Sequence, residues 1–332
     1  MQSKVNQIKK ELIDVLKVDL TEGLAQDFVN GLFGRINADK ANSLEEIAES
    51  GAEVFETLAQ EVYGPLMVAY VDWVLQLYKK IECKGNILFA SRDAIPLYHI
   101  ASILADKHSI DKNKIKELYY TRKIAGQSDE IAGFGVKTIN TELLKQYLKQ
   151  EGVSADSMIV DMGLYGSLYK LGCEKKFWGG KPNLVFLYSK NPNIVGFLNP
   201  ELENNRQLGN LIADCGECVN PQKVWSPSEL VEINGKVMPK LEPINNYLIQ
   251  IWADMAIAGY KKAAREFIAD KKIDVCYELQ KIQNLSDQAK KGEFTGVLPY
   301  CTLEWSQKDK FLELWGLGYI PPKPYVMKYG IQ

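Results

Sequence analysis

Two stretches decide how this chain folds: Asn86-Ile87-Leu88-Phe89-Ala90 running into Ser91-Arg92-Asp93, and Met158-Ile159-Val160 running into Asp161-Met162-Gly163-Leu164-Tyr165-Gly166-Ser167. Each is a short apolar run that stops abruptly in polar residues and resumes with helical spacing. That order predicts a buried parallel strand, then a turn at its carboxyl edge, then a helix. Free amides at such a helix start favour anions. Ser91, Arg92 and Asp93 are therefore candidate ligand contacts, with Arg92 suited to two-point capture of phosphate or carboxylate. In the second turn, Asp161 can hold a divalent cation or hydrogen-bond ribose hydroxyls. Gly163 and Gly166 permit close backbone approach, Tyr165 can stack or donate, and Ser167 offers a hydroxyl at a helix start.

The same alternation extends outward. Strand 87–90, helix 95–107, strand 118–121, a polar glycine-bearing loop 124–137, helix 141–150, strand 158–161, a helix after Ser167 and strand 184–188 follow one another. This predicts an α/β fold, a parallel sheet wrapped by helices. The strand end Tyr119-Tyr120-Thr121-Arg122-Lys123 sets two cations at the same edge, ahead of a loop long enough to close over a ligand. Each turn also has a purely structural reading. Ser91 or Asp161 could cap the following helix, Asp93 could complement its dipole, and Arg122 and Lys123 could be a solvated basic turn.

The flanks read as helical additions. Ile8, Leu12, Val15 and Leu16 recur at helical spacing, as do Leu44, Ile47 and Val54. The segment from Gly64-Pro65 to Leu75 is apolar on nearly every face, which predicts a helix buried by more than one neighbour, with Pro65 in its first turn. Leu230 to Met238 around Asn234-Gly235 predicts a hairpin. Helices are expected at 245–270, 273–290 and 305–317, before a proline-rich tail. These boundaries give a helical annex at 1–82, an α/β ligand-binding core at 83–228 and a hairpin-plus-helix region at 229–332.

Among 332 residues, 46% are hydrophobic and 25% charged, with a net charge of −2, so no polyanion-binding surface is indicated and nucleic acid is unsupported as a partner. The first ten residues lack a secretory pattern, and the most apolar segment, 63–78, is shorter than a membrane span and carries Asp72. A cytoplasmic protein without membrane contact is the expectation. Of six cysteines only Cys215 and Cys218 have ligand-like spacing, and zinc would need two further ligands, so reduced unpaired thiols are expected. Nucleophile-elbow, Walker-type and dinucleotide glycine signatures do not occur. The sequence leaves the oligomeric state open.

The stretch from Gly64-Pro65 and Trp73 through Phe89-Ala90-Ser91-Arg92-Asp93, Tyr120-Thr121-Arg122 and Val160–Ser167 resembles the carboxyl-terminal part of large bacterial proteins described as haloacid-dehalogenase-type hydrolases, often encoded beside surface-polysaccharide genes. There the first turn usually reads Ala-Arg-Asp-Gly, against Ser91-Arg92-Asp93-Ala94 here. Their phosphatase motif, an apolar strand ending Asp-x-Asp-x-Thr, lies upstream of the matching region and does not occur in this sequence, so the hydrolase label does not transfer.

A weaker likeness is to type I phosphoribosyltransferases. Their order of pyrophosphate-binding turn, strand ending in Arg-Lys, mobile loop and acidic turn ahead of glycine and a hydroxyl residue is similar to Ser91–Asp93, Arg122-Lys123, 127–137 and Asp161–Ser167. Those enzymes usually carry two adjacent acids, whereas Met162 follows Asp161 here. The likeness implies a phosphoribosyltransferase-like or Rossmann-like core that binds a phosphorylated sugar or nucleotide with Mg2+ and acts at the anomeric carbon. Arg92 would hold a pyrophosphate, Asp161 ribose hydroxyls or metal-bound water, Gly166 and Ser167 a terminal phosphate, and Arg122 with Lys123 the departing diphosphate. Two rivals stand beside it. One is a hydrolase with Asp93 or Asp161 as nucleophile, and the other a non-catalytic ligand-binding or assembly module.

Overall fold

The computed structural model describes residues 55–91, 93–125, 141–164, 180–198, 227–241, 247–269 and 272–290, together with isolated positions that include 166, 169 and 178. The chain divides into two compact units. One comprises Met1–Met67, Asp214–Pro221 and Ile244–Gln332, the other Val68–Ala213 and Gln222–Pro243.

The second unit is built on a parallel sheet of five strands, β1 (Ile87–Ala90), β2 (Ile115–Leu118), β3 (Met158–Leu164), β4 (Asn183–Ser189) and β5 (Val195–Leu198), in the order β2-β1-β3-β4-β5. All four pairings are parallel. The chain therefore steps from β1 to β2 on one side, then returns past β1 to lay β3 on the other. The reversal falls between β1 and β3, where an open α/β sheet leaves a crevice beyond its carboxyl ends.

Alternation across the strands explains the two covered faces. Leu88, Ala90, Leu118, Ile159 and Phe186 share a buried core with Leu144, Tyr147 and Leu148 of helix α4 (Thr141–Gln150). Burying each such side chain contributes about 1.5–3 kcal/mol. On the other face, Tyr70 and Trp73 of helix α1 (Gly64–Lys80) meet Phe197 at ring separations of 5.6 and 5.3 Å, and Phe89 meets Tyr98 of helix α2 (Ile95–Leu104) at 6.5 Å. Asp72, the one acid inside the apolar segment of α1, is buried against the end of α2. It accepts from Gln76 at 2.5 Å, lies 2.8 Å from His108 Nε2 and pairs with Lys107 at 3.2 Å. Its charge is thus matched inside the protein.

Four details depart from the sequence reading. Strand β3 runs to Leu164 rather than ending at 161, because its ladder with β4 continues through Gly163 and Leu164, so Asp161, Met162 and Gly163 stand on the strand and not in the turn after it. The second strand is Ile115–Leu118, three residues before the expected 118–121. Leu118 O accepts from both Ser91 N–H at 2.7 Å and Tyr120 N–H at 2.9 Å, while Tyr119 N–H is taken by the Tyr147 hydroxyl at 3.0 Å, so the ladder ends at Leu118. Helix α2 stops at Leu104 rather than 107, because Ser109 turns to a φ of 52° and Ile110 N–H closes onto Ala105 O. Strand β5 was not expected, being only four residues long and broken by Gly196.

The hairpin forms where Asn234-Gly235 predicts it, as β6 (Pro227–Ile233) and β7 (Lys236–Leu241), with φ values of 52° and 75° at the turn. Both angles are those of a primed two-residue turn. It groups with the sheet: Leu230 and Val237 join the core that holds α4. Gln150 adds a strand-like pairing, donating to Val237 O at 2.8 Å and accepting from Val237 N–H at 3.0 Å.

In the first unit, helices α5 (Tyr247–Ile268) and α6 (Val275–Lys290) match the expected pair, and a π-helical turn spans Leu58–Val62. Gly259 of α5 lies so close to Glu56 O and Ala59 that a side chain would not fit, and Lys262 pairs with Glu56 at 2.5 Å. Most of 1–54, where helices are expected, lies outside the described residues, isolated positions that include Asn6, Lys10, Ile13 and Asp14 being helical; 305–317, the loop 126–137, and Cys215 and Cys218 lie outside them altogether. Among the described residues no helix is long and apolar enough to cross a membrane.

Gln150→Ala should destabilise the chain by about 1–3 kcal/mol, since it strips two partners from the buried Val237 backbone. Urea denaturation measures the loss, and hydrogen exchange at Val237 locates it. An unchanged midpoint and a protected Val237 amide would contradict the pairing.

Candidate functional site

The carboxyl ends of β2, β1 and β3 lie side by side, so the turns after them share one edge of the sheet. Ser91 leaves β1 with its backbone tied to Leu118, and its side chain is buried, the residue being 9% exposed. Its hydroxyl has no hydrogen-bond partner among the described residues. Helix α2 begins at the same turn. Its N-cap is Ala94, whose side chain makes no capping hydrogen bond, and Pro96 stands in its first turn. The Ser91 hydroxyl, with no partner among the described residues, does not cap that helix. Asp93 is half-buried, and its charge is felt at the Tyr169 hydroxyl.

Asp161 lies on β3, at the strand-order reversal. Its Oδ1 accepts from Met162 N–H at 2.7 Å and its Oδ2 from the Tyr169 hydroxyl at 2.6 Å. Tyr169 is buried in an aromatic box with Tyr120, Trp178 and Phe186, with ring separations of 6.1, 6.1 and 5.6 Å. From the opposite face of the sheet, the Tyr70 hydroxyl donates to Asp161 O at 2.9 Å and Val185 O at 3.1 Å. Burial, and then the charge of Asp161, hold both phenols protonated well above the ordinary tyrosine range. Each therefore keeps the proton that it donates to Asp161. Sequence periodicity could not reveal either pairing, which joins residues eight and 91 positions apart.

The two glycines after Asp161 are filled by protein. Gly163 has φ +123°, and a Cβ there would fall 2.0 Å from Tyr188 O. At Gly166 it would meet Ile194 Cδ1 at 2.3 Å, close to the Phe186 ring. The close approach that these glycines permit is made by β4 and its flank.

At the end of β2, the Thr121 hydroxyl accepts from Ile124 N–H at 3.4 Å and starts the short helix α3 (Arg122–Ala125). The backbone of Arg122 and Lys123 follows directly on that strand end, while their side chains lie outside the described residues, as do Arg92, Tyr165 and Ser167 altogether. Tyr119 donates to Glu117 at 2.9 Å, and burial pushes the Glu117 carboxyl above its usual range. Among the described residues, no group of three or more His, Cys, Asp and Glu side chains is placed to hold a metal ion.

The arrangement offers a hydroxyl donor and a helix start beside β1 and an oriented acceptor on β3. No family model matches this chain, and no curated protein matches it.

Gly163→Ala should cost about 3 kcal/mol or more, combining a clash with backbone strain, and circular dichroism melting measures it. A variant that melts like the parent would refute the tight β3–β4 approach. Glu117→Gln should stabilise the chain at pH 7. The raised folded-state pKa means that ionisation favours the unfolded chain as pH rises, so the gain disappears below about pH 4, where both states are protonated. Equal gain at pH 3 and pH 7 would contradict the burial cause.

Proposed function

We propose that this chain binds a phosphorylated sugar or nucleotide at the reversal between β1 and β3, with phosphoribosyltransferase-like chemistry at the anomeric carbon. A phosphoribosyltransferase-like or Rossmann-like core belongs to the same proposal. The observation that carries it is the buried Ser91 hydroxyl, without a hydrogen-bond partner among the described residues, at the turn that opens into α2. Such a turn suits an oxyanion, because the hydroxyl presents a donor where the helix dipole favours negative charge.

Asp161 complements it. An ionised carboxylate offers about four acceptor sites. Met162 N–H and the Tyr169 hydroxyl are two of its donors, and sugar hydroxyls are donors of the kind that such a carboxylate receives. The same two donors stabilise the carboxylate's charge and lower its nucleophilicity, so the geometry favours a binding role for Asp161 over the aspartyl nucleophile of a phosphatase. In this reading Ser91 and Arg92 hold a diphosphate, Gly166 and Ser167 border a terminal phosphate, and Arg122 with Lys123 neutralises the departing charge. Asp93 lies beside the sugar as its second acid.

Mg2+ keeps most of its water and rests on one or two carboxylates plus ligand phosphates. Asp161 on β3 and Asp93 in the turn after the neighbouring β1 fit that modest requirement and would hold such an ion through its water. The ion would supply charge neutralisation on the diphosphate. Rate acceleration would come chiefly from fixed donors and charges around the developing charge, with loss of Arg92 costing about 2–4 kcal/mol of transition-state stabilisation.

A thermal-shift series with ribose 5-phosphate, phosphoribosyl diphosphate and nucleoside monophosphates, with and without Mg2+, tests the proposal. Ligand at a hundredfold excess over Kd should stabilise the fold by about 2.7 kcal/mol. Asp161→Ala should weaken that binding about 10- to 100-fold. Absence of any shift across the series would refute the reading.

A further inference from the structure

We propose that Tyr169 is the positioning residue of this site, acting on the ligand through Asp161; the inference rests on the sugar-phosphate reading above. Tyr169 itself is 2% exposed and packed among three other rings, so it has no route to a ligand. Its hydroxyl nevertheless leaves that apolar box to meet Asp161 Oδ2 at 2.6 Å, a short bond between a neutral donor and a charged acceptor. Met162 N–H holds Oδ1 at 2.7 Å. With a donor on each oxygen, the carboxylate plane cannot rotate without breaking a bond. The orientation of the carboxylate is thereby fixed relative to β3, and β3 is fixed through the hydroxyl of Tyr70. A phenol is suited to this task because burial keeps it un-ionised and the box holds its ring. A phenylalanine would fill the same box equally well, so packing alone does not require the hydroxyl.

The consequence is a division of labour. Donors beside β1 capture the phosphate whatever the state of Tyr169, whereas recognition of the sugar depends on the Asp161 orientation that Tyr169 sets. Removing the hydroxyl should therefore separate the two affinities.

Calorimetric titration of the full chain and of Tyr169→Phe with ribose 5-phosphate and with inorganic phosphate tests this. Tyr169→Phe should lower ribose 5-phosphate affinity about fivefold or more and leave inorganic phosphate affinity within about twofold, the change expected for one lost hydrogen bond. In an Asp161→Ala background the same substitution should change neither affinity, because its effect passes through the carboxylate. Equal weakening of both probes, or an equal loss in the Asp161→Ala background, would mark Tyr169 as merely structural and overturn the inference. Full ribose 5-phosphate affinity in Tyr169→Phe would also overturn it while leaving the sugar-phosphate reading intact. Failure of the unaltered chain to bind ribose 5-phosphate would remove that reading, and this inference with it.

Discussion

Asp161 is gripped from both sides of the sheet. The Tyr70 hydroxyl reaches its backbone carbonyl from one face, and the Tyr169 hydroxyl reaches its carboxylate from the other. The β1 ladder on β3 stops at Val160, whereas the β4 ladder runs on through Asp161 to Leu164. An unpartnered buried backbone group costs about 1–3 kcal/mol, and the Tyr70 hydroxyl serves the carbonyls of both Asp161 and Val185. The residue anchored in this way is also the one whose carboxylate stands at the strand-order reversal.

Electrostatics explains the choice of donors. A cation at Tyr169 would neutralise Asp161 and would itself be costly to bury. A phenol stabilises the charge by one hydrogen bond without cancelling it, and its low acidity in the apolar box keeps the proton on oxygen. The Tyr169 hydroxyl thereby orients the carboxylate without adding a charge of its own.

Much of this architecture was legible in the sequence, and the gaps have physical causes. Strands β1 and β4 declare themselves because they are buried on both faces and read as unbroken apolar runs. The hairpin declares itself through Asn234-Gly235, since few other pairs accept two positive φ angles. Strand β2 is an edge strand whose Lys116 and Glu117 are only half-buried, so its polar middle hid it and the apolar Leu118-Tyr119-Tyr120 beyond it drew the assignment three residues late. At the site, Asp161 and the turn after β1 were visible because α/β folds expose that edge. The two tyrosines that hold Asp161 were not, since hydrogen bonds between residues eight and 91 positions apart leave no periodic trace. Gly163 was visible as a special residue, but a lone glycine does not say whether a ligand or the neighbouring strand comes close.

A crystal structure of the chain with ribose 5-phosphate tests the account most directly. The account predicts sugar hydroxyls on the Asp161 carboxylate, the Tyr169 hydroxyl still bonded to it, and the phosphate at Ser91 and the start of α2. A sugar phosphate bound elsewhere, or an Asp161 carboxylate turned away from Tyr169 to face solvent alone, would contradict it.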